Sequence, residues 1–373
     1  GQPIEPPSIG PSKGELIDFT VPIKDGPTTR GFDTFYGCSA CPTTDWLYAY
    51  IDNDRTVGLP TEQWPGTPDG IKHEYRGSRR GVKTPDFDFA TVDLHLAEKS
   101  IALIESHVKE SPDQPFFLYH ATQAPHLPAW PHERFVDKSE AGKLGDFVHQ
   151  LDWVVGQIVG TVDRLGIADN TLIILTSDNG PEICAYPIKQ QHGHDASRPL
   201  RGMKRDLWEG GHRVPFIARW PGKIAPASVN HETISLVDLM ATFASITGAD
   251  LADDTAEDSY DVSAALLGKP HDKPIREAMV VHSISDTYTI RQGKWKLILD
   301  PASGSWNYRS KWMGEIPIDP PMSHPDAPVQ LYDLENDLGE TRNLYQERPE
   351  IVERLTKLLE KYRAEGRSVP SRR

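Results

Sequence analysis

The pattern of apolar and polar residues changes near residue 90. Up to that point the chain is rich in Pro and Gly and shows no sustained hydrophobic period, which predicts loops and short elements. Beyond it, two stretches place apolar residues at helical spacing, and a short apolar run follows each of them. The two helical stripes are formed by Val92, Leu94, Ala97, Ile101, Ile104 and Val108, and by Phe147, Leu151, Val154, Ile158, Val162 and Leu165.

The apolar runs, FFLYH at 116–120 and TLIILT at 171–176, predict strands buried in a sheet. Because each strand follows a helix, their order predicts a mostly parallel sheet flanked by helices and joined by right-handed crossovers. A further strand is predicted at 214–220 (VPFIARW), and a further helix at 235–248. The expected fold class of this part of the chain is α/β.

Near residue 275 the pattern changes to short β-forming segments separated by turns. AMVVHS, YTIRQGKWKLIL and VQLYDL favour strands of an antiparallel sheet. A closing amphipathic helix is predicted from the apolar positions Ile351, Leu355, Leu358, Leu359 and Tyr362. We therefore expect an α/β domain at 1–275 and a smaller antiparallel subdomain with its closing helix at 276–373.

The charge balance restricts the class of partner. The 373 residues include 40 Lys and Arg against 54 Asp and Glu, which gives a net charge of -14. Nucleic acids and anionic membranes are bound by basic surfaces, so neither is an expected partner. No apolar run approaches the roughly 18 residues that span a bilayer, and no signal segment is recognisable.

The three cysteines are too few for a disulfide scaffold. Cys38 and Cys41 have the C-x-x-C spacing, but a zinc site would need a second ligand pair, which the sequence lacks. A thioredoxin-like redox pair should open a helix, whereas Pro42 and turn-forming residues follow Cys41. We expect structural thiols or a local disulfide.

Polar side chains follow the first two predicted strands. His126 lies between two prolines after the first strand, and Asp178 and Asn179 follow the second directly. If the strands are parallel neighbours, both loops open onto one crevice at their carboxyl ends. Adjacent Asp and Asn oxygens suit a hard divalent cation. The alternative, that Asp-Asn-Gly forms an ordinary turn, stays open at this point.

A basic, Gly-punctuated segment at 189–213 stands out in this acidic chain. Only three acidic residues oppose its cationic and imidazole side chains, so the segment indicates an anion site, with a solvated charged loop as the alternative. The basic side chains are Lys189, Arg198, Arg201, Lys204, Arg205 and Arg213, and the histidines are His192, His194 and His212.

These features together resemble the sulfatases, a branch of the alkaline phosphatase superfamily. The similar blocks, in order, are GFDTFYG, YAYIDNDR, FFLYHATQAPHLP, LDWVVGQIVGTVDRLGIADNTLIILTSDNGPE, LRGMKRDLWEGGHRVPFIARWPG, SLVDLMATFASITG and QLYDLENDLGETRNL. They cover almost the whole chain. The Ser-Asp-Asn-Gly and Leu-Arg-Gly-x-Lys blocks are specific in this order.

The resemblance implies roles for individual residues. Asp178 and Asn179 would bind Ca²⁺, and His126 and Lys204 would contact the sulfate as the catalytic pair. His194 and Arg201, from the same basic segment, complete the expected substrate-binding set.

The sequence also departs from the family pattern. It lacks the Cys-x-Pro-Ser-Arg segment, whose Cys becomes formylglycine, and it lacks the N-terminal pair of metal-binding aspartates and the Gly-Lys-Trp-His block. The Cys41-Pro42-Thr43 stretch does not replace that segment. By this comparison the sequence corresponds to the later part of a sulfatase, and we expect the chain alone to be inactive.

The expected function of the complete enzyme is hydrolysis of a sulfate ester, on a sulfated carbohydrate or an aryl sulfate, by calcium-assisted formylglycine chemistry. The alternatives are a phosphodiesterase or phosphonate hydrolase of the same superfamily and a non-catalytic fragment that binds sulfated glycans. The resemblance implies a periplasmic or secreted location. Self-association is expected because a sheet that lacks strands exposes an edge. Four aromatic residues could form walls for a sugar, namely Trp46, Tyr48, Trp130 and Trp208.

Overall fold

The computed structural model describes residues 17–67, 78–271, 273–305 and 321–371. The chain divides into two compact units, and each is described by itself. The first comprises Gly1–Ala168 and Tyr186–Asp195, and the second comprises Asp169–Ala185 and Ala196–Arg373. This division by packing does not test the predicted domain boundary after residue 275, which stays a prediction.

The first unit contains two small sheets of very short strands. One pairs β1 (Tyr36–Gly37), β3 (Ile51–Asp52) and β4 (Arg55–Thr56), with both neighbours antiparallel. In the other, β6 (Gly81–Lys83) lies between β2 (Leu47–Tyr48), to which it is parallel, and β5 (Glu62–Trp64), to which it is antiparallel. Tyr48, Phe87 and Phe89 form an aromatic core beside these strands.

Both long helices predicted for this unit are confirmed. They are α1 (Val92–Glu110) and α2 (Gly142–Arg164), and they pack against each other. After α2 the chain reaches Gly166 in a left-handed conformation with φ of +70°, which glycine adopts without steric cost. The third helix is α3 (Ala185–His192), whose first residue belongs to the second unit.

The strand predicted at 116–120 is not formed. Among the described residues this segment pairs with no strand, and Phe117 and Tyr119 are 64% and 74% exposed. A β-forming sequence becomes a strand only when a neighbouring strand accepts and donates its backbone hydrogen bonds. The local pattern therefore indicated a β-strand propensity, but the segment forms no strand in the described structure.

In the second unit, β7 (Ile173–Thr176) pairs with β8 (Phe216–Arg219) in antiparallel register. Both strands were predicted, but β7 is half-buried and its described partner is antiparallel. Among the described residues, parallel pairing is confined to β2 and β6, so the mostly parallel sheet is only partly present. The shorter helices are α4 (Glu209–His212), α5 (Leu239–Thr247), which ends at Gly248 as predicted, and α6 (Ser263–Leu266).

The C-terminal sheet and its closing helix are confirmed. The antiparallel order is β12 (Gln330–Asp333), β11 (Trp295–Ile298), β10 (Tyr288–Gln292) and β9 (Met279–His282). Helix α7 (Pro349–Glu365) packs on β10 and β11 through Leu355 and Leu359. The chain therefore has a mixed α/β fold that ends in an antiparallel sheet with one helix.

Candidate functional site

In the first unit, a buried carboxylate holds the segment that carries His126. Asp93, at the start of α1, is fully buried and accepts hydrogen bonds from the backbone N–H groups of Gln123 (2.6 Å) and Ala124 (3.1 Å). Gln150 of α2 donates its side-chain amide to the same carboxylate at 2.8 Å. Burial raises the pKa of Asp93 above its usual range, although these bonds favour the charged form. The helix pair thus fixes the start of the His126 loop.

His126 is exposed, and its Nδ1 atom lies close to a thiol. Nδ1 is 2.6 Å from the carbonyl oxygen of Leu127 and 3.1 Å from Sγ of Cys41. The side-chain amide of Gln123 donates to the carbonyl oxygen of His126 at 3.1 Å and to Oγ1 of Thr43 at 2.6 Å. The loop that contains Cys41 and the loop that contains His126 are therefore joined by several polar contacts.

The three cysteines are free thiols, so the local disulfide considered for Cys38 and Cys41 is absent from this structure. Burial raises the pKa of Cys38 and that of Cys184 to about 12. Burial by itself also raises the pKa of Cys41, but the hydrogen bond and the charge of His126 outweigh it and bring the value to about 7. The thiols of the C-x-x-C motif therefore differ sharply in acidity.

In the second unit, Asp178 and Asn179 directly follow β7. Asp178 is exposed, and the single hydroxyl hydrogen of Ser177 is shared between the Asp178 carboxylate at 3.4 Å and the carbonyl oxygen of Asn179 at 3.1 Å. The Asn179 amide nitrogen donates to the carbonyl oxygen of Gly180 at 2.9 Å, so the amide oxygen Oδ1 takes no part in this bond. A carboxylate and an amide oxygen, both possible metal ligands, thus belong to adjacent residues at the end of a strand.

These two side chains suit calcium as part of a site. Carboxylate and amide oxygens are ligands that Ca²⁺ accepts, but the ion takes about 6 to 8 of them. Within the described part of the chain, no three or more His, Cys, Asp or Glu side chains are grouped so as to hold a metal ion. Asp178 and Asn179 therefore account for a fraction of a calcium shell.

Close backbone packing explains why a glycine, Gly180, follows this pair. Gly180 donates its N–H to the carbonyl oxygen of Gly211 at 3.0 Å, and a Cβ atom on Gly180 would lie 1.7 Å from the carbonyl oxygen of Gly210. Such a distance is far inside the van der Waals contact, so a side chain at this position would force the two segments apart. The Asp178 loop is thereby packed against the start of α4.

Lys204 is held near the Asp178 loop by its backbone and by its neighbour. Its N–H donates to the carbonyl oxygen of Pro181 at 2.8 Å. Arg205, whose φ of +85° is unusual for a residue with a side chain, donates two hydrogen bonds to Glu182 at 2.6 and 2.8 Å. Burial alone would raise the pKa of Glu182, but Arg205 brings it down to about 2. An ion pair therefore joins the two loops.

Arg201 has a different environment from the one expected of a substrate-binding residue. It is 2% exposed, donates to the carbonyl oxygen of Glu340 at 2.6 Å, and its guanidinium lies 4.2 Å from the ring centre of Trp208. This placement favours a structural role. Trp208 and Tyr48 are fully buried, so neither can form an exposed wall for a sugar.

A buried charge cluster links the basic segment to the C-terminal sheet. Lys296 of β11 lies 2.9 Å from a carboxylate oxygen of Glu209 and 2.9 Å from one of Glu340. The backbone N–H of Glu209 donates to the other Glu340 oxygen at 2.6 Å. Burial raises the pKa of Glu340 to about 7, whereas for Glu209 the charge of Lys296 outweighs burial and lowers the pKa to about 2. Lys296 is thus shared by two carboxyl groups of unequal acidity, and Arg213 and Arg291 each add a positive charge 3.4 Å from Glu209.

The expected site residues fall in both units. His126 and the exposed His194 belong to the first, whereas Asp178, Asn179 and Lys204 belong to the second. The predicted approach of His126 to Lys204 therefore stays a prediction. The structure adds three residues that the sequence pattern did not single out for these roles, and they are Asp93, Cys41 and Glu182.

Comparison with known families agrees with the motifs. The family model described as Sulfatase matches residues 20–249, which include His126, the Asp178–Asn179 pair and Lys204. The chain belongs to the sulfatase family.

Several members of the sulfatase family are similar to this chain over most of its length. An N-acetylgalactosamine-6-O-sulfatase of Bacteroides thetaiotaomicron is 38% identical over 279 residues, which cover 74% of this chain and 51% of that protein. Arylsulfatase A of Homo sapiens is 34% identical over 242 residues, covering 62% of this chain and 45% of that protein. The chain therefore spans about half the length of the curated sulfatases it matches.

A solved structure supports the fold. It comes from work on the metabolism of multiple glycosaminoglycans by Bacteroides thetaiotaomicron, and it superposes with a TM-score of 0.75 at 29% identity. The match covers 93% of this chain and 76% of that chain. The mixed α/β architecture is thus the one found in the sulfatase family.

Proposed function

We propose that this chain binds the sulfate ester of a carbohydrate and that the whole protein, as a sulfatase, hydrolyses that ester. The observation that carries the proposal is the family match over residues 20–249, together with the order of its functional motifs in the chain. The similarity to an N-acetylgalactosamine-6-O-sulfatase, and to a structure from work on glycosaminoglycans, favours a sulfated sugar over a simple aryl sulfate.

We assign roles to four residues by their position in the family motifs. His126 and Lys204 contact the sulfate through hydrogen bonds and positive charge, and Asp178 and Asn179 contribute oxygen ligands to calcium. When bound, calcium supplies positive charge that stabilises an anionic sulfate group. His194 is an exposed candidate for a further substrate contact.

No residue of this chain matches the formylglycine motif. The proposal therefore gives the role of nucleophile to no residue of this chain. What the described residues do in this proposal is to bind and orient an anion, with Asp93 and Glu182 acting through the loops they hold.

A non-catalytic role is the second candidate, and the missing nucleophile motif is the observation that favours it. In that case the chain binds sulfated glycans without cleaving them. The two candidates share the sulfate contacts and differ in turnover.

The location proposed for the protein is the periplasm or the extracellular space. It rests on the resemblance to sulfatases that act outside the cytoplasm. None of the helices in the described residues combines the length and the apolar composition needed to cross a bilayer.

Binding and turnover can be measured on the chain as it stands. Isothermal titration calorimetry with a 6-sulfated N-acetylgalactosamine oligosaccharide, with and without Ca²⁺, is the first measurement. We expect binding that Ca²⁺ strengthens and that Lys204→Ala and Asp178→Ala each weaken by about tenfold or more, since a hydrogen bond to a charged group contributes roughly 1.5–3 kcal/mol. Lys223→Ala, which removes an exposed lysine outside the motifs, is the matched control and should leave binding unchanged.

Sulfate release is the second measurement, and we expect it at background level for this chain. Binding that is equal for wild type and Lys204→Ala would contradict the proposed sulfate contact. Sulfate release at an enzyme-like rate that Asp178→Ala abolishes would show that the chain contains a nucleophile that the motif comparison misses.

A further inference from the structure

Cys41 and His126 form a compact polar cluster in the first unit. Sγ of Cys41 lies 3.1 Å from Nδ1 of His126 and 3.2 Å from Oγ1 of Thr44. The Leu127 carbonyl oxygen closes the cluster, because it lies 2.6 Å from both Nδ1 and Oγ1. The thiol is half-buried, and the imidazole beside it is exposed.

The protons available in this cluster favour a thiolate. The Leu127 carbonyl oxygen can only accept, and so can a deprotonated sulfur. The donors that face them are the Nδ1–H of His126, the hydroxyl of Thr44 and the backbone N–H of Thr43. With sulfur as thiolate, the Thr44 hydroxyl serves the carbonyl oxygen, the Thr43 N–H serves the sulfur, and the imidazole N–H is shared by both acceptors. A Cys–His pair with this geometry is a common way to activate a thiol.

Other groups around Cys41 have weaker or opposing effects. Its backbone N–H donates to the Asp45 carboxylate at 2.9 Å, and Arg79 lies 3.5 Å from that carboxylate. Oε1 of Gln123, 3.6 Å from the sulfur, accepts from the protonated thiol and therefore opposes ionisation. The thiol of Cys38 stays protonated at neutral pH, because burial raises its pKa to about 12. The contact of His126 with the sulfur is shorter than those of Thr44 and Gln123.

We propose that Cys41 is a modification site, a thiolate paired with His126 that reacts with small carbon electrophiles ahead of the other cysteines. With an alkyl halide, the sulfur lone pair forms the S–C bond as the carbon–halogen bond breaks, and halide leaves with the bonding electrons. The proton stays on Nδ1 of His126 throughout. If His126 contacts sulfate, which rests on the proposed function, the new substituent next to its ring weakens that contact.

The three thiols differ in acidity, so Cys38 and Cys184 serve as internal controls for the reaction rate of Cys41. The pKa of about 7 for Cys41 leaves roughly half of it ionised at neutral pH, whereas the values of about 12 for Cys38 and Cys184 leave almost none. A more basic thiolate is intrinsically more nucleophilic, which offsets part of this difference. The net expectation is that Cys41 reacts roughly a hundredfold faster than either of the others.

The test is the rate of alkylation of the folded chain by iodoacetamide, followed by peptide mass spectrometry from pH 5 to 10. We expect single labelling at Cys41 near neutral pH, with a rate that rises to half of its maximum near pH 7. Cys41→Ser should abolish the fast reaction, whereas Cys38→Ser and Cys184→Ser should preserve it. His126→Phe, which removes the N–H, should move the midpoint to the ordinary thiol value of about 8.5 or above, because burial alone raises the pKa of Cys41.

Unfolded protein in urea provides the reference, since all three cysteines should then react at similar rates. The wild-type profile decides the question even where a variant does not fold. A midpoint near 8.5 or above, or equal labelling of the three cysteines in the folded chain, would overturn the proposal. Labelling needs no sulfate ester, so its failure would leave the proposed function standing, and loss of sulfate binding would leave the labelling result standing.

Discussion

The Glu182 carboxylate joins the loop of Asp178 to the loop of Lys204. It accepts hydrogen bonds from two nitrogens of Arg205 at 2.6 and 2.8 Å. The two side chains are only 16% and 11% exposed, so water screens their attraction weakly. Arg205 itself occupies a backbone conformation that costs free energy for a residue with a side chain. The ion pair therefore stabilises a loop geometry that the backbone alone would not favour.

At the residue scale, we predict that Glu182→Gln lowers the free energy of unfolding by about 3 kcal/mol at pH 7, because a buried arginine loses its charged partner. Since the folded-state pKa of Glu182 is depressed to about 2, its contribution is complete above the usual value of 4.5 and is lost as the pH falls from 4.5 toward 2. Urea unfolding of wild type and variant across this range is the measurement. The gap between the two proteins should close in acid.

The control for this prediction is another Arg–Glu pair with two hydrogen bonds. Arg342 donates to both oxygens of Glu347 at 3.0 and 2.9 Å, but these side chains are 67% and 49% exposed. Glu347→Gln should therefore cost at most about 1 kcal/mol. Equal losses in the two variants would mean that burial does not strengthen the Glu182 pair.

At the element scale, the apolar stripe of α7 packs against the apolar face of the C-terminal sheet. Leu355 and Leu359 are 0% and 2% exposed, and they pack on Ile290, Leu297 and Leu331 of three neighbouring strands. Such close packing leaves little room for neighbours to fill a gap. The helix and the sheet thus depend on each other for burial.

We predict that Leu355→Ala lowers the free energy of unfolding by about 3 kcal/mol, the sum of lost transfer energy and the cavity left behind. Arg354→Ala, at an exposed position of the same helix, should change it by less than about 0.5 kcal/mol. Chemical denaturation monitored by circular dichroism measures both. A Leu355→Ala protein as stable as Arg354→Ala would show that α7 does not contribute to the stability of the folded chain.

At the scale of the whole molecule, exposed aromatic residues bear on how the chain behaves in solution. Phe117 and Tyr119, from the segment whose sequence predicts a buried strand, are 64% and 74% exposed in the first unit. Exposed apolar side chains on a β-forming segment are a recognised cause of association. The net charge of -14 opposes association, and salt weakens that repulsion.

We therefore predict that the purified chain associates in a concentration-dependent way, more strongly as salt is raised. The double substitution Phe117→Ser with Tyr119→Ser should shift the weight-average mass toward the monomer. Val229→Ser is the control, because Val229 is 78% exposed but lies outside this segment. Sedimentation equilibrium measures the mass, and a wild-type chain that is monomeric at every concentration and salt would contradict the prediction.

Some features of this protein follow from its sequence alone. The stripes of α1, α2 and α7 predicted helices because spacing along one chain decides which face is apolar. Strands β9, β10 and β11 were predicted for the same local reason, since turns of only a few residues separate them. The sulfatase motifs were also evident, because a family match depends on the order of residue types.

The tertiary structure decided the features that depend on distant residues. Cys41 and His126 are 85 positions apart, so no local pattern could indicate that their side chains meet. Arg201 looked like an anion ligand by its charge, but it is buried against Trp208. The antiparallel pairing of β7 with β8 and the absence of a strand at 116–120 in the described structure also depend on distant residues. Local sequence determines what a segment can form, whereas its hydrogen-bonding and packing partners determine what it does form.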